Sequence, residues 1–246
     1  MKQSPLFSNI ETGNVYTSSD AATYKGICIK TFILLFVAII AGAVTAYALP
    51  TILQNGNFVG FYIALIASSV IGTISVLVGR TSKTAAPYCS FIYSVCEGLF
   101  LGTITCLFEA EVKGIVVIAV VGTVTIFATM LALYALGILR VGSGFIKFCW
   151  AFTIGALALA LVTSLLSLTG VFNGMSIGLI IGIEAIFLIY GSITLLLNFA
   201  EATNVVQSGC DKASEWNVAL GLEVSVIYIY VEMLRVVYLI AQSKRN

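Results

Sequence analysis

The sequence contains no histidine and only two aspartates, Asp20 and Asp211, among its 246 residues. Without histidine the chain lacks the commonest transition-metal ligand and the side chain that most often changes charge near neutral pH. A serine or cysteine nucleophile normally needs a histidine or lysine as its base, and the sequence offers no such motif. Neither aspartate lies in an apolar segment, which argues against an intramembrane aspartyl dyad. We therefore expect that the protein is not an enzyme and needs no cofactor.

Charged residues are also scarce, at 9% of the chain, whereas soluble domains carry about 25%. Hydrophobic residues make up 60% of the chain, and they form segments long enough to cross a hydrocarbon core of about 30 Å. These features predict an all-α integral membrane protein, a bundle of seven transmembrane helices in a lipid bilayer. The predicted spans are residues 27–49, 58–79, 87–108, 114–137, 146–168, 175–199 and 216–240.

Prolines are few, and Pro5, Pro50 and Pro87 are all expected outside helix interiors, with Pro50 closing the first span. Residues 1–25 are polar and lack the apolar core of a signal peptide, so they are predicted to form a cytosolic arm. Residues 26–242 then form the membrane domain, and residues 243–246 a short tail.

Lysine and arginine are distributed unevenly between the two sides of the predicted bundle. Seven fall on the side of the N-terminus and three on the other side, which predicts a cytosolic N-terminus. An odd number of spans places the C-terminus on the side of the membrane opposite the cytosol, unless the last segment is re-entrant. The net charge of +1 gives no reason to expect a nucleic-acid partner.

The last span carries ionisable residues that are costly in a bilayer, where a charge at the helix centre costs roughly 2.5–3.5 kcal/mol. At 100° per residue a polar stripe forms on one side of this helix. It comprises Gly221, Ser225, Tyr228, Glu232 and Arg235. Glu223 lies on the opposite side and nearer the helix start, where it is expected to reach the headgroups. We therefore expect Glu232, and not Glu223, to be functional.

Two further stripes with acids are predicted on the third and sixth spans. They consist of Ser90, Ser94 and Glu97 on the third span, and of Glu184, Gly191, Thr194, Asn198 and Glu201 on the sixth. Facing one another, the three stripes would line a cavity that attracts cations. The alternative is a set of structural ion pairs, such as Glu232 with Arg235 or Glu97 with Lys30.

Several runs of the sequence carry a family resemblance. Residues 97–102 read EGLFLG within the longer segment 86–141, and residues 230–235 read YVEMLR. With the N-terminal runs SPLFSN and TYKGICIKT and the closing run WNVALGLEVSVIYIYVEMLR, the chain resembles the bacterial Bax-inhibitor-like membrane proteins over nearly its whole length. The resemblance implies a seven-helix bundle with a central last helix, located in the bacterial inner membrane and acting as a pH-sensitive calcium leak channel. Family members are also described as protecting cells against death or stress signals and as modulating a membrane protease.

The resemblance also implies how such a pore is controlled. In the wider family two acids, one late in the sixth span and one in the seventh, share a proton. The acid of the seventh span matches Glu232, but Asn198 stands where the family has an aspartate, and asparagine does not titrate. Either Glu201, three residues further on, replaces that aspartate, or the shared-proton latch is absent.

Two functions therefore stay open from the sequence. The first is a cation leak in which calcium or protons pass a pathway or gate, with transient calcium at Glu232 and Glu97. The residues assigned to that pathway or gate are Glu97, Glu184, Asn198, Glu201, Glu232 and Arg235. The second is a non-conducting membrane regulator that binds a membrane protease or another protein partner. A proton-coupled transporter is a third, less favoured function.

Overall fold

A computed structural model describes residues 21–54, 58–139, 141–168 and 177–245. Within these ranges the chain forms seven helices, each long and apolar enough to cross a membrane. They are α1 (Tyr24–Gln54), α2 (Phe58–Thr81), α3 (Ala86–Glu111), α4 (Ile115–Ala135), α5 (Ser143–Leu168), α6 (Ile177–Gln207) and α7 (Ser214–Arg245). The prediction of an all-α, seven-helix membrane protein is thus confirmed.

The helix ends differ from the predicted ends in several places. Pro50 lies inside α1, which continues to Gln54, so the prediction that it closes the first span was wrong. A proline so near the C-terminal end disturbs only the last turns of a long helix. On α6 the helix continues past the predicted end at residue 199 to Gln207. The predicted start of that span at residue 175, and most of the predicted N-terminal arm, lie outside the described residues.

The last helix is the centre of the bundle. α7 contacts α1, α2, α3, α4 and α6, whereas α5 packs on α6 alone within the part of the chain that the structure describes. Its buried residues therefore point in several directions, and Leu220, Ile229 and Leu234 are fully buried. The central position that the family resemblance implied is confirmed, and it means that no long face of α7 is open to lipid.

Glycines allow α1 and α3 to pack closely. A Cβ at Gly102 would collide with the carbonyl group of Gly42, and one at Gly98 would collide with the backbone at Ala38. Close approach through small residues is a common way to hold membrane helices together, because burial against lipid offers little hydrophobic gain. α3 is therefore held at a fixed distance from α1, and it carries part of the candidate site.

We predict that Gly102→Ala lowers the free energy of unfolding by about 1–3 kcal/mol, because the added methyl group forces α1 and α3 apart. Gly155→Ala is the matched control, since a Cβ at this glycine of α5 meets nothing within 4 Å. Thermal unfolding in detergent compares the two variants. Equal midpoints for both would contradict the close packing of α1 on α3.

A buried ion pair joins the starts of α1 and α7. The Glu215 carboxylate is fully buried and lies 2.8 Å from the Lys30 ammonium group, measured from Oε2 to Nζ. The backbone N–H of Thr23 donates to Oε1 of the same carboxylate at 2.8 Å. Lys30 also lies over the Trp216 ring, 4.8 Å from its centroid. The suggested pair of Lys30 with Glu97 was wrong, because Glu215, at the adjacent start of α7, is the acid within reach of Lys30.

We predict that Glu215→Gln destabilises the protein by about 3 kcal/mol, because it leaves the Lys30 ammonium group without its buried counter-ion. Glu111→Gln makes the same chemical change at an exposed position and should leave the unfolding midpoint unchanged. Adding Lys30→Met to Glu215→Gln should recover part of the loss. If the single and double variants unfold together, Lys30 does not depend on Glu215.

A second charged interaction lies in the turn before α7, at the same end of the bundle as the pair of Lys30 and Glu215. The Ser214 hydroxyl donates a hydrogen bond to the Asp211 carboxylate, and the Lys83 ammonium group lies 3.6 Å from it. These interactions, led by the Ser214 hydrogen bond, lower the pKa of Asp211 below its usual value. Asp211 therefore keeps its charge at all pH values near neutrality, and it does not respond to changes in that range.

Candidate functional site

The polar stripes of α6 and α7 face each other, as the sequence predicted. Asn198 donates from Nδ2 to the Gly221 carbonyl at 2.9 Å and to the Ser225 hydroxyl at 2.7 Å. These hydrogen bonds join the C-terminal part of α6 to the N-terminal part of α7. Further along the two helices, Gly191 lies against the Tyr228 ring. The two helices thus run antiparallel with their polar side chains between them.

Asn198 forms its hydrogen bonds with uncharged groups of α7 and not with an acid. Its nearest polar side chain on α7 is Ser225, seven residues before Glu232 and therefore about 10 Å from it along the helix. The pairing of Glu232 with residue 198 that the family resemblance suggested was therefore wrong. Where the family has a titrating aspartate, this chain has the Asn198 amide, hydrogen-bonded to the Ser225 hydroxyl and the Gly221 carbonyl. None of these three groups changes its charge near neutral pH.

Glu201 is engaged with α2. Its carboxylate accepts a hydrogen bond from Nη2 of Arg80 at 3.0 Å, and both side chains are more than a third exposed. Nη1 of Arg80 donates to the Asn217 carbonyl at 3.3 Å, beside Gly221, where a Cβ would collide with the guanidinium group. The proposal that Glu201 replaces the family's aspartate opposite Glu232 was wrong, because Glu201 lies at the end of the bundle with a basic partner.

The acid that faces Glu232 is Glu184 of α6. The two carboxyl groups lie close enough to interact electrostatically, and the Tyr228 hydroxyl is within the same range of Glu232. Glu232 is 3% exposed, whereas the Arg235 side chain is 45% exposed and its Nη1 lies 3.4 Å from Oε1 of Glu232. The suggested pair of Glu232 with Arg235 is therefore present at the edge of the site. Oε2 of each acid is buried without a hydrogen-bond partner among the described residues, which is a costly arrangement for a carboxyl group.

Glu223 forms a second buried acidic site on the opposite side of α7. It is 0% exposed, and its Oε1 accepts a hydrogen bond of 2.6 Å from the Ser94 hydroxyl of α3. Glu97 lies three residues beyond Ser94, on the same face of α3, and is close enough to Glu223 to interact electrostatically. The expectation that Glu223 reaches the headgroups was wrong. Because neighbouring helices surround α7, the side chain has no path to the membrane surface.

The three acids assigned to one cavity are thus divided between two pairs. Glu97 lies with Glu223 between α3 and α7, and Glu184 lies with Glu232 between α6 and α7. Nine residues separate Glu223 from Glu232, about 13 Å along the helix. Glu97 and Glu232, expected to bind calcium, are therefore not ligands of one ion. The sequence does not show that α7 is buried on two opposite faces, because that burial follows only from its central position in the bundle.

No group of three or more histidine, cysteine, aspartate or glutamate side chains within the described residues is arranged to hold a metal ion. Each acidic pair offers carboxylate oxygens, and the pair at α3 adds a serine hydroxyl. Such oxygen ligands suit a hard cation.

The family comparison agrees with this architecture. The family model described as Bax inhibitor 1 like matches residues 4–242, nearly the whole chain. Comparisons with curated proteins and with solved structures found no match. Since the family match includes the central α7 and the helices that surround it, the chain belongs to the Bax inhibitor 1 like family of multi-pass membrane proteins.

Proposed function

We propose that the protein is a pH-sensitive cation leak channel through which calcium passes, under the control of buried carboxyl groups on α7. The observation that carries the proposal is that Glu223 and Glu232 are both buried in the central helix, and each faces another acid. Intramembrane acids of this kind typically mark ion or proton pathways. Carboxylate oxygens attract cations and are ligands that calcium prefers.

The pH response is assigned to the two acidic pairs. Two neighbouring carboxyl groups titrate as a unit, because the charge of one opposes ionisation of the other. The remaining polar links near α7 are poor candidates. Asn198 with Ser225 is neutral, Glu201 is paired with Arg80, and Asp211 keeps its charge near neutral pH.

The proposed location is the bacterial inner membrane, with the N-terminus in the cytosol. Lys25, Arg80, Lys83, Lys147 and Lys212 all lie at the helix ends on the side where α1 and α7 begin. Lys113 and Lys244 lie towards the opposite side. Positive residues concentrate on the cytosolic side of membrane proteins. The same rule places the end of α7 outside the cytosol.

We predict that Glu232→Gln changes calcium flux several-fold and weakens its dependence on pH, because glutamine retains the shape of the side chain but does not titrate. The measurement is calcium entry into liposomes that contain the purified full-length protein, at about pH 6 and about pH 8. Glu111→Gln is the matched control, since it makes the same change at an exposed position at the end of α3.

Two results would count against the channel. No flux above protein-free liposomes at either pH, with the protein folded and inserted, would exclude the leak and favour a non-conducting regulator that binds a protease or another membrane protein. Equal effects of Glu232→Gln and Glu111→Gln would remove Glu232 from the pathway and its gate.

A further inference from the structure

A buried carboxyl oxygen of Glu223, between α3 and α7, has no hydrogen-bond partner among the described residues. Glu223 is 0% exposed, and while Oε1 is bonded to the Ser94 hydroxyl, Oε2 is buried with no hydrogen-bond partner among the described residues. A buried polar atom without a partner is costly, and a carboxylate oxygen is the costliest kind. A ligand of positive charge at Oε2 would remove that cost.

Charge balance points to the same place. Glu215 has Lys30, Glu201 has Arg80, and Glu232 has Arg235, each within 4.0 Å. Throughout the part of the chain that the structure describes, no lysine or arginine forms a salt bridge with Glu97 or Glu223. Arg80 of α2 lies beside Gly221, which is on the same helix as Glu223, but Arg80 already forms a salt bridge with Glu201. The pair of Glu97 and Glu223 therefore has no basic partner among the described residues, whereas the pair on the other side of α7 has Arg235 beside Glu232.

The chemistry of the surrounding groups suits a hard cation. Glu223 offers Oε2, Glu97 offers a second carboxyl group, and the Ser94 hydroxyl, three residues before Glu97 on α3, is hydrogen-bonded to Glu223. Tyr93, on the neighbouring position of α3, is buried and within electrostatic range of both acids. Calcium takes six to eight oxygen ligands, and water would complete a set of this size.

We infer that Glu97, Ser94 and Glu223 form a binding site for a divalent cation between α3 and α7, on the side of α7 opposite Glu232. The role of this site, as the place where the permeant ion pauses, rests on the proposed cation leak. Binding itself does not require conduction, so the two can be measured separately.

The test is calcium binding to the full-length protein in lipid nanodiscs, measured by isothermal titration calorimetry at about pH 8, where more of the buried carboxyl groups are ionised than at lower pH. We predict that Glu223→Gln and Glu97→Gln each weaken calcium binding by about tenfold or more, because each removes a charged ligand. Ser94→Ala should cause a smaller loss, since it removes a neutral ligand. Glu111→Gln should bind calcium as the parent does.

Two controls separate binding from folding and from the other acidic pair. Thermal unfolding of each variant in the same nanodiscs identifies any that is misfolded, and Glu97→Gln, at a half-buried position, tests the site if Glu223→Gln does not fold. Glu184→Gln alters the pair on the other side of α7 and should leave this affinity unchanged. A loss with Glu184→Gln and none with Glu97→Gln would move the site to α6 and overturn the inference.

The outcomes for binding and for flux are distinguishable. Calcium binding that needs Glu97 and Glu223, in a protein that conducts nothing, would support the site and reject the leak. Flux that persists while binding ignores both residues would support the leak and reject the site. No calcium binding by the folded parent protein, with a protonated-carboxyl band in the infrared spectrum that disappears in Glu223→Gln, would overturn the inference and leave the pair as a proton site.

Discussion

The structure depends on the cost of placing carboxyl groups inside the central helix of a membrane bundle. α7 is surrounded by α1, α2, α3, α4 and α6, and its acids Glu215, Glu223 and Glu232 are buried among them. Each acid on it must find a partner on a neighbouring helix, bind a proton or bind an ion, because an isolated charge in this environment is too costly to keep.

The acids meet this requirement differently along the helix. At the start of α7, Glu215 is held by Lys30, and this link fixes α7 against α1. One layer further in, Asn198 and Ser225 form a neutral contact, and Arg80 joins α2 to Glu201 beside it. Glu223, at nearly the same depth on the opposite side of α7, and Glu232, about two turns beyond Ser225, face other acids. The bundle is therefore tied by charge-balanced contacts at one end, whereas its middle holds acids that depend on protons or cations.

Helical periodicity explains which parts of the site could be predicted. The stripe from Gly221 to Arg235 and the stripe from Glu184 to Glu201 follow from 100° per residue, and the structure places them face to face. Periodicity does not give the axial register between two helices. Asn198 therefore meets Ser225 and not Glu232, and Glu201 meets a base on α2 that is 121 residues away in the chain.

The sequence by itself determined that this is an all-α membrane protein with seven spans, because span length and apolar composition are local properties of the chain. The family resemblance added the central position of the last helix. Only the tertiary structure decided that Glu223 is buried, that Glu97 lies beside it, and that Lys30 belongs to Glu215. The physical reason is that the environment of a side chain on a central helix is set by neighbours distant in the chain, and these differ on each of its faces.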